Sequence, residues 1–145
     1  MPQITVEYSR NVEDRVDIHS LLEAVHVAAL SSGMFERGFG IRTRAAPRDL
    51  YLIADQDPAN AFVAVIVRIA AGRTEQQRSQ LADTVFAALC LQLQTAAAST
   101  SLAISLEVQE IDDLGARNLN NLHERLAAKS SSTARHDQAG AASQS

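Results

Sequence analysis

The sequence predicts an α+β fold in which two β-α-β halves form a four-stranded mixed sheet with two long helices on one face. Apolar and polar residues alternate in residues 3–8 and again in 101–110, which is typical of half-buried strands. A nearly unbroken apolar run at 62–70 indicates a strand buried on both faces. Two longer stretches between these strands carry apolar residues at the spacing of amphipathic helices.

The first half opens with the strand at 3–8, and a helix at 12–31 follows. Asn11 is a possible cap for this helix and Gly33 a stop signal. Helical spacing gives it one apolar stripe, formed by Ile18, Leu21, Leu22, Val25, Ala28 and Ala29.

In the connection to the second half, the sequence predicts an irregular piece at 38–44, which contains two glycines and two arginines. A short strand is expected at 50–54, and the sequence Asp55-Gln56-Asp57-Pro58 then indicates a turn.

The second half repeats the plan of the first. Gly72 ends the apolar strand at 62–70, and Thr74 with Gln77 three residues later resembles a capping box. The helix that follows extends to about Ala97, with a buried stripe predicted at Leu81, Val85, Leu89 and Leu93. The last strand, at 101–110, directs Leu102, Ile104, Leu106 and Val108 to one face.

Two helices can cover only one face of such a sheet. The apolar run at 62–70 therefore predicts that a neighbouring subunit covers the other face. After Leu126 the chain is mostly Ala, Ser and Gln, so a single domain at 2–126 and a disordered tail at 127–145 are expected.

Composition narrows the class of protein. The formal charge of −4 argues against nucleic acid and anionic membranes as partners. No apolar run approaches the length of a membrane span and no leader is evident, while the single cysteine, Cys90, excludes an internal disulfide. Together these features favour a cytoplasmic protein.

Arginine is concentrated in the middle of the chain. The chain has one lysine, Lys129, and twelve arginines, and the residues from 37 to 78 carry a net charge of +3 on an otherwise acidic chain. The guanidinium fork matches a carboxylate, so a carboxylate ligand is expected. The arginines of this stretch are Arg37, Arg42, Arg44, Arg48, Arg68, Arg73 and Arg78.

Pro2 is the candidate catalytic residue. A small residue after the initiator favours removal of Met1, which would leave Pro2 with a free secondary amine at the head of a strand. Such an amine has no flexible stem, so the strand holds this base in place. Ile4, Val6 and Phe62 are expected to provide apolar surroundings that keep the amine neutral at pH 7.

Several segments together resemble the tautomerase superfamily, and within it the 5-carboxymethyl-2-hydroxymuconate isomerases. The resemblance covers residues 2–126 and depends on the order and spacing of short pieces. Beside Pro2 they are Val6-Glu7-Tyr8-Ser9, Gly40-Ile41-Arg42-Thr43-Arg44-Ala45, Ile53-Ala54-Asp55, Asn60-Ala61-Phe62-Val63, Ile69-Ala70-Ala71-Gly72-Arg73, Leu106-Glu107-Val108-Gln109-Glu110 and Asn120-Asn121-Leu122-His123.

The resemblance implies a homotrimer with a site between subunits, a proline proton carrier and a dienol carboxylate substrate from homoprotocatechuate (aromatic) degradation. It implies catalytic roles for Pro2, Arg73 and Arg42, and a substrate-binding role for Arg44. Phe62 is expected to contact the substrate, and no cofactor or metal is expected. His19 and His26 lie seven residues apart, a spacing poorly suited to metal binding.

Three features depart from the family pattern. Ala64 stands where relatives commonly have His, Arg117 and Asn118 replace an aromatic residue and a lysine, and the tail is longer than usual. Two alternatives therefore remain open: a tautomerase of another enol carboxylate such as phenylpyruvate, and a non-catalytic trimeric binding protein.

Overall fold

The computed structural model describes residues 1–35 and 40–141. Arg37, which is one of the clustered arginines, and the Gly38-Phe39 pair of the predicted irregular piece lie outside these residues. The elements in chain order are β1 (Gln3–Ser9), a 3-10 helix (Arg10–Asp14), α1 (Ile18–Ser31), β2 (Arg42–Arg48), β3 (Ala61–Ala70), α2 (Glu75–Ser99), β4 (Leu102–Ile111) and α3 (Leu122–Ala141).

The four strands form one sheet in the order β2-β1-β3-β4. β1 is parallel to β2, and β3 is parallel to β4, so each half of the chain is a β-α-β unit. The two units meet where β1 and β3 pair antiparallel in the centre. This arrangement confirms the predicted mixed sheet built from two similar halves.

The core lies between one face of the sheet and the helices α1 and α2. Alternate side chains of β1 and β3 enter it, because successive residues of a strand point to opposite faces. Leu21 and Val25 of α1 and the predicted stripe of α2 complete it. Its fully buried large side chains are Ile4, Leu21, Ile69, Leu81, Leu89, Leu93, Val6, Val25, Val63, Val65, Val67 and Val85.

Of the two predicted helix caps, the one of α2 is present in the structure and the one of α1 is not. At α2 the predicted capping box is confirmed, because the Thr74 side chain accepts from the Gln77 backbone while the Gln77 side chain accepts from the Thr74 backbone. The predicted helix at 12–31 is wrong at its start. Its first residues form a separate 3-10 helix, and Asp17 rather than Asn11 caps α1. A hydrogen bond from the Ser20 hydroxyl lowers the pKa of Asp17, which keeps this cap charged.

The position of the second strand is a correction. The sequence predicts irregular structure at 38–44 and a strand at 50–54, whereas β2 occupies Arg42–Arg48 and residues 50–54 form no strand. β2 is a polar edge strand with Pro47 near its end, a position where a missing backbone donor is tolerated. It lacks the apolar alternation of a half-buried strand and is formed through pairing with β1.

The predicted tail also differs, because α3 continues to Ala141. Alanine and residues such as Lys and Gln favour helix locally even without tertiary packing. Of the side chains described in α3 only Leu126 is half-buried, so the helix adds little to the core.

By length and composition alone, α2 could span a membrane. Core helices of soluble proteins share this property. Here the stripe at Leu81, Val85, Leu89 and Leu93 is fully buried, and it packs in the same core as β1 and β3.

Candidate active site

Pro2 lies beside a cavity of about 600 Å³ at one end of the sheet. Three separate turns of the chain form its walls: the end of α1, the turn between β3 and α2, and the start of α3. The residues lining it are Pro2, Gly33, Met34, Phe35, Gly72, Arg73, Gln77 and His123.

Two glycines shape these walls through their backbone conformation. Gly33 follows α1 with φ +71°, and Gly72 follows β3 with φ +97°. Both values lie in the left-handed region that favours glycine. The turn at Gly72 brings Arg73 to the cavity, immediately before the capped start of α2.

Arg73 is the predicted arginine that the structure brings to Pro2. Its Nη2 donates to the carbonyl oxygen of Met34 at 3.4 Å, across the cavity wall from the end of α1. Arg73 is half-buried, so its guanidinium is held by a backbone acceptor while it remains accessible to a ligand. A cation fixed in this way is suited to binding a carboxylate or an enolate oxygen.

Arg42 and Arg44 lie on the other face of the sheet. In the β1–β2 register Arg42 is opposite Gln3 and Arg44 is opposite Thr5, whereas the buried Ile4 is opposite Thr43. Directly opposed residues share a face, so both arginines lie on the face away from the helices. The backbone of Arg42 remains close to Pro2, because its N–H donates to the Pro2 carbonyl at 3.2 Å.

The exposed face around these arginines holds further charges. Arg44 donates to Oε1 of Gln3 at 3.3 Å, and Arg48 forms an ion pair with Glu7 at 2.5 Å. The Glu7 carboxylate raises the pKa of Arg48. Arg42 and Arg44 thus point to the face that the sequence analysis assigns to a neighbouring subunit.

Phe62 is distant from Pro2 within one chain. β3 is antiparallel to β1, so its Arg68 end lies beside Gln3 and its Phe62 end lies beyond Tyr8. Phe62 is six residue steps from Arg68 along β3, a distance of roughly 20 Å. The ring of Phe62 instead makes an edge-on contact with Tyr51, with centroids 6.2 Å apart.

Ile4 and Val6 occupy the predicted position, since both are fully buried on the helix face of β1. Pro2 is two residues before Ile4 and has the same alternation. Pro2 is half-buried and lines the cavity with Met34 and Phe35, which belong to the apolar core.

Sequence reasoning missed two residues of the cavity. The sequence indicates only a capping role for Gln77 and no role in the site for His123. Both line the cavity with Pro2 and Arg73. The signal for His123 was its place in the Asn120-Asn121-Leu122-His123 segment, but local spacing does not show that this segment meets the start of β1.

His19 and His26 belong to another surface. Nδ1 of His26 lies 2.7 Å from Oγ1 of Thr43, a contact that ties α1 to β2. His19 and His26 line a separate cavity of about 270 Å³ with Thr43. Among residues 1–35 and 40–132, no group of three His, Cys, Asp or Glu side chains is placed to hold a metal ion.

Comparisons with known proteins agree with this architecture. The family model of 5-carboxymethyl-2-hydroxymuconate isomerase matches residues 2–126. A curated relative, the 5-carboxymethyl-2-hydroxymuconate Delta-isomerase of Escherichia coli, is 29% identical over 123 residues, which is 85% of this chain and 97% of the relative.

Solved structures show the same fold. A 5-carboxymethyl-2-hydroxymuconate isomerase from Deinococcus radiodurans R1 has a TM-score of 0.79 and 33% identity, covering 86% of this chain and 93% of that chain. A fused 4-OT wild type symmetric trimer has a TM-score of 0.54 and 20% identity, covering 80% of this chain and 92% of that chain.

The fold and these similarities define an isomerase of the tautomerase superfamily. Within that superfamily, the chain belongs to the 5-carboxymethyl-2-hydroxymuconate isomerase family.

Proposed function

We propose that this isomerase converts 5-carboxymethyl-2-hydroxymuconate to its 2-oxo-3-ene isomer, with Pro2 as the acid/base group. The observation that carries the proposal is the cavity that Pro2 and Arg73 share. A base and a cation that line one cavity support the proposal, because proton transfer from an enol carboxylate uses a base and is helped by a cation that stabilises the developing charge.

The proposed base becomes available when Met1 is removed, because the Pro2 nitrogen is otherwise an amide. The free amine accepts the proton of the substrate's 2-hydroxyl, and the ammonium then returns one proton to the carbon at the far end of the diene. One proton leaves and one is returned, so the reaction needs no cofactor. The apolar edge of the core and the Arg73 guanidinium both favour a neutral amine at rest.

Arg73 stabilises the negative charge that develops on the 2-oxo and carboxylate oxygens of the dienolate. A donor already held in place needs no reorganisation when that charge forms. The hydrogen bond from Arg73 to the Met34 carbonyl supports this role, because it fixes the guanidinium before the substrate arrives.

Arg42 and Arg44 act through the assembly. We place them at a homotrimer interface, where the open face of one sheet meets a neighbouring subunit. There Arg42 binds a second carboxylate of the substrate and Arg44 assists it. The same assembly would bring Phe62 of one subunit to the Pro2 site of another, which the separation of roughly 20 Å prevents within one chain.

The open face supports this assembly. Phe62, Ala64 and Ile66 form an apolar row on β3 that remains half-exposed in the single chain. Leu50 and Leu52, in the loop after β2, are 96% and 81% exposed. A cytoplasmic location and a role in homoprotocatechuate (aromatic) degradation complete the proposal.

The proposal is tested by kinetics on purified full-length protein. Intact mass first shows whether Met1 is absent, and the loss of ultraviolet absorbance of the conjugated dienol then measures turnover. Arg73→Ala is expected to lower turnover by roughly 10²–10³-fold, because a donor to the developing charge is lost. Arg15→Ala is the control, since Arg15 is exposed and bonds Ser99 away from the cavity.

Two results would contradict the proposal. A chain that retains Met1 yet turns over the dienol cannot use the Pro2 amine. An Arg73→Ala loss of less than about threefold removes Arg73 from the mechanism. Turnover of phenylpyruvate enol in place of the dienol would favour the alternative substrate, and inactivity with both would favour the binding protein.

A further inference from the structure

Met1 marks the space that the Pro2 nitrogen faces. The Met1 side chain is half-buried and lies in a slot between Gly40 and Asn120. Gly40 is buried with φ +86°, and a Cβ added there would come within 3.2 Å of the Met1 sulfur. The slot is therefore closely fitted to a small chain of atoms attached to the Pro2 nitrogen.

Asn120 provides the polar group of this slot. Its Nδ2 donates to Sδ of Met1 at 2.8 Å, while its Oδ1 accepts from the backbone N–H of Leu122 at 2.9 Å. The second bond fixes the orientation of the amide, because the oxygen is used by the backbone and the NH₂ group must face Met1. Thioether sulfur is a weak acceptor, so this donor is poorly matched in the unprocessed chain.

The slot adjoins a second cavity. Met1 also lines this cavity of about 350 Å³, whose charged lining residues are Arg68, Arg117 and Asp112, so that two guanidinium groups outnumber one carboxylate. Removal of Met1 would leave the Asn120 donor next to this cavity. An anionic group of the substrate fits this environment better than an apolar one.

We propose that Asn120 is a substrate-binding residue whose Nδ2 donates to a carboxylate of the substrate in the slot that Met1 vacates. This inference rests on the proposed function. The Met1 sulfur is five bonds from the Pro2 nitrogen, so the donor reaches a remote group of the substrate rather than the atoms that exchange the proton. Asn120 therefore contributes to binding in the ground state and the transition state alike.

The test compares Asn120→Asp with Asn121→Asp in full-length protein that has lost Met1. Asn120→Asp keeps the oxygen that accepts from Leu122 but replaces the donor by an acceptor. Asn121→Asp adds the same charge one residue away, on an exposed side chain outside the cavity lining. Asn120→Ala removes the donor without adding charge.

We expect KM for the dienol to rise roughly 10-fold or more in Asn120→Ala and further in Asn120→Asp, with kcat within about threefold. Asn121→Asp should stay near the wild-type values. Far-UV circular dichroism of Asn120→Asp should match wild type, which separates the lost donor from a disordered start of α3.

Equal KM values for Asn120→Asp and Asn121→Asp would overturn the assignment, as would a wild-type KM in Asn120→Ala or a loss confined to kcat. These outcomes leave the proposed function standing, because the wild type remains active. A wild type without activity on the dienol overturns the proposed function itself and this assignment with it.

Discussion

At the scale of single residues, the site depends on the face of the sheet to which each side chain points. Arg42 and Pro2 are joined by a backbone hydrogen bond, yet the register of β1 and β2 sends the Arg42 side chain to the open face. Arg73 reaches the cavity because the turn at Gly72 precedes it. A residue whose backbone lies close to Pro2 can therefore direct its side chain away from the cavity, as Arg42 does.

Tyr8 gives a prediction on pH dependence. Its buried hydroxyl donates to Oε1 of Glu13 at 2.7 Å, and burial together with this carboxylate raises the pKa of Tyr8 to about 12. The unfolded chain loses this proton near pH 10, before the folded chain does. Since the unfolded state then binds fewer protons, the free energy of unfolding falls as pH rises from about 10 to about 12.

Tyr8→Phe removes this titration. Urea unfolding at neutral pH should show a loss of about 1 kcal/mol for the missing hydrogen bond. At alkaline pH the difference between the variant and wild type should shrink, because only wild type carries the raised pKa. A difference that stays constant across this pH range would contradict the assignment. Tyr51 is common to both proteins and cancels in the comparison.

At the scale of elements, the local sequence predicted the start of α2 correctly but not the start of α1. The Thr74 box is satisfied within four residues of sequence, so it could be read directly. Asp17 caps α1 only because the chain between β1 and α1 forms a separate 3-10 turn. That turn is held by tertiary bonds such as Asn11 Nδ2 to the Asn60 carbonyl at 2.8 Å, which no local pattern shows.

Thr74→Ala is expected to lower the free energy of unfolding by about 1 kcal/mol, because it removes the acceptor for the Gln77 backbone. Urea unfolding monitored by circular dichroism measures this change. Thr84→Ala is the matched control, since Thr84 is a half-buried residue in the middle of the same helix, where its hydroxyl donates to the Gln80 carbonyl. The control should show no loss, because alanine is the better helix former there. Equal losses in the two variants would exclude a specific cap.

At the scale of the whole molecule, the single chain leaves one face of its sheet uncovered. The β3 side chains that face the helices are buried, whereas those on the other face are partly exposed. Two helices cover one side of four strands, which leaves the second side open for the neighbouring subunit that we propose.

Ile66→Glu is expected to prevent assembly, because it puts a charge in the centre of the uncovered face. Sedimentation velocity should show a trimer for wild type and a monomer for this variant. Val27→Glu is the control, because Val27 lies on α1 and is already 55% exposed. A trimeric Ile66→Glu protein would place the interface elsewhere. If Arg42 and Phe62 act across subunits, the Ile66→Glu variant should lose activity together with assembly.

The sequence by itself determined the two β-α-β halves, the buried stripes and the α2 cap, because these depend on spacing within a few residues. The tertiary structure alone decided where the polar strand β2 lies and which groups meet Pro2. Arg73 and His123, which are far apart in sequence, line the cavity beside Pro2, and Asn120 contacts Met1. They are brought together by the strand register and by the turns between elements, which are set by the packing of the whole chain.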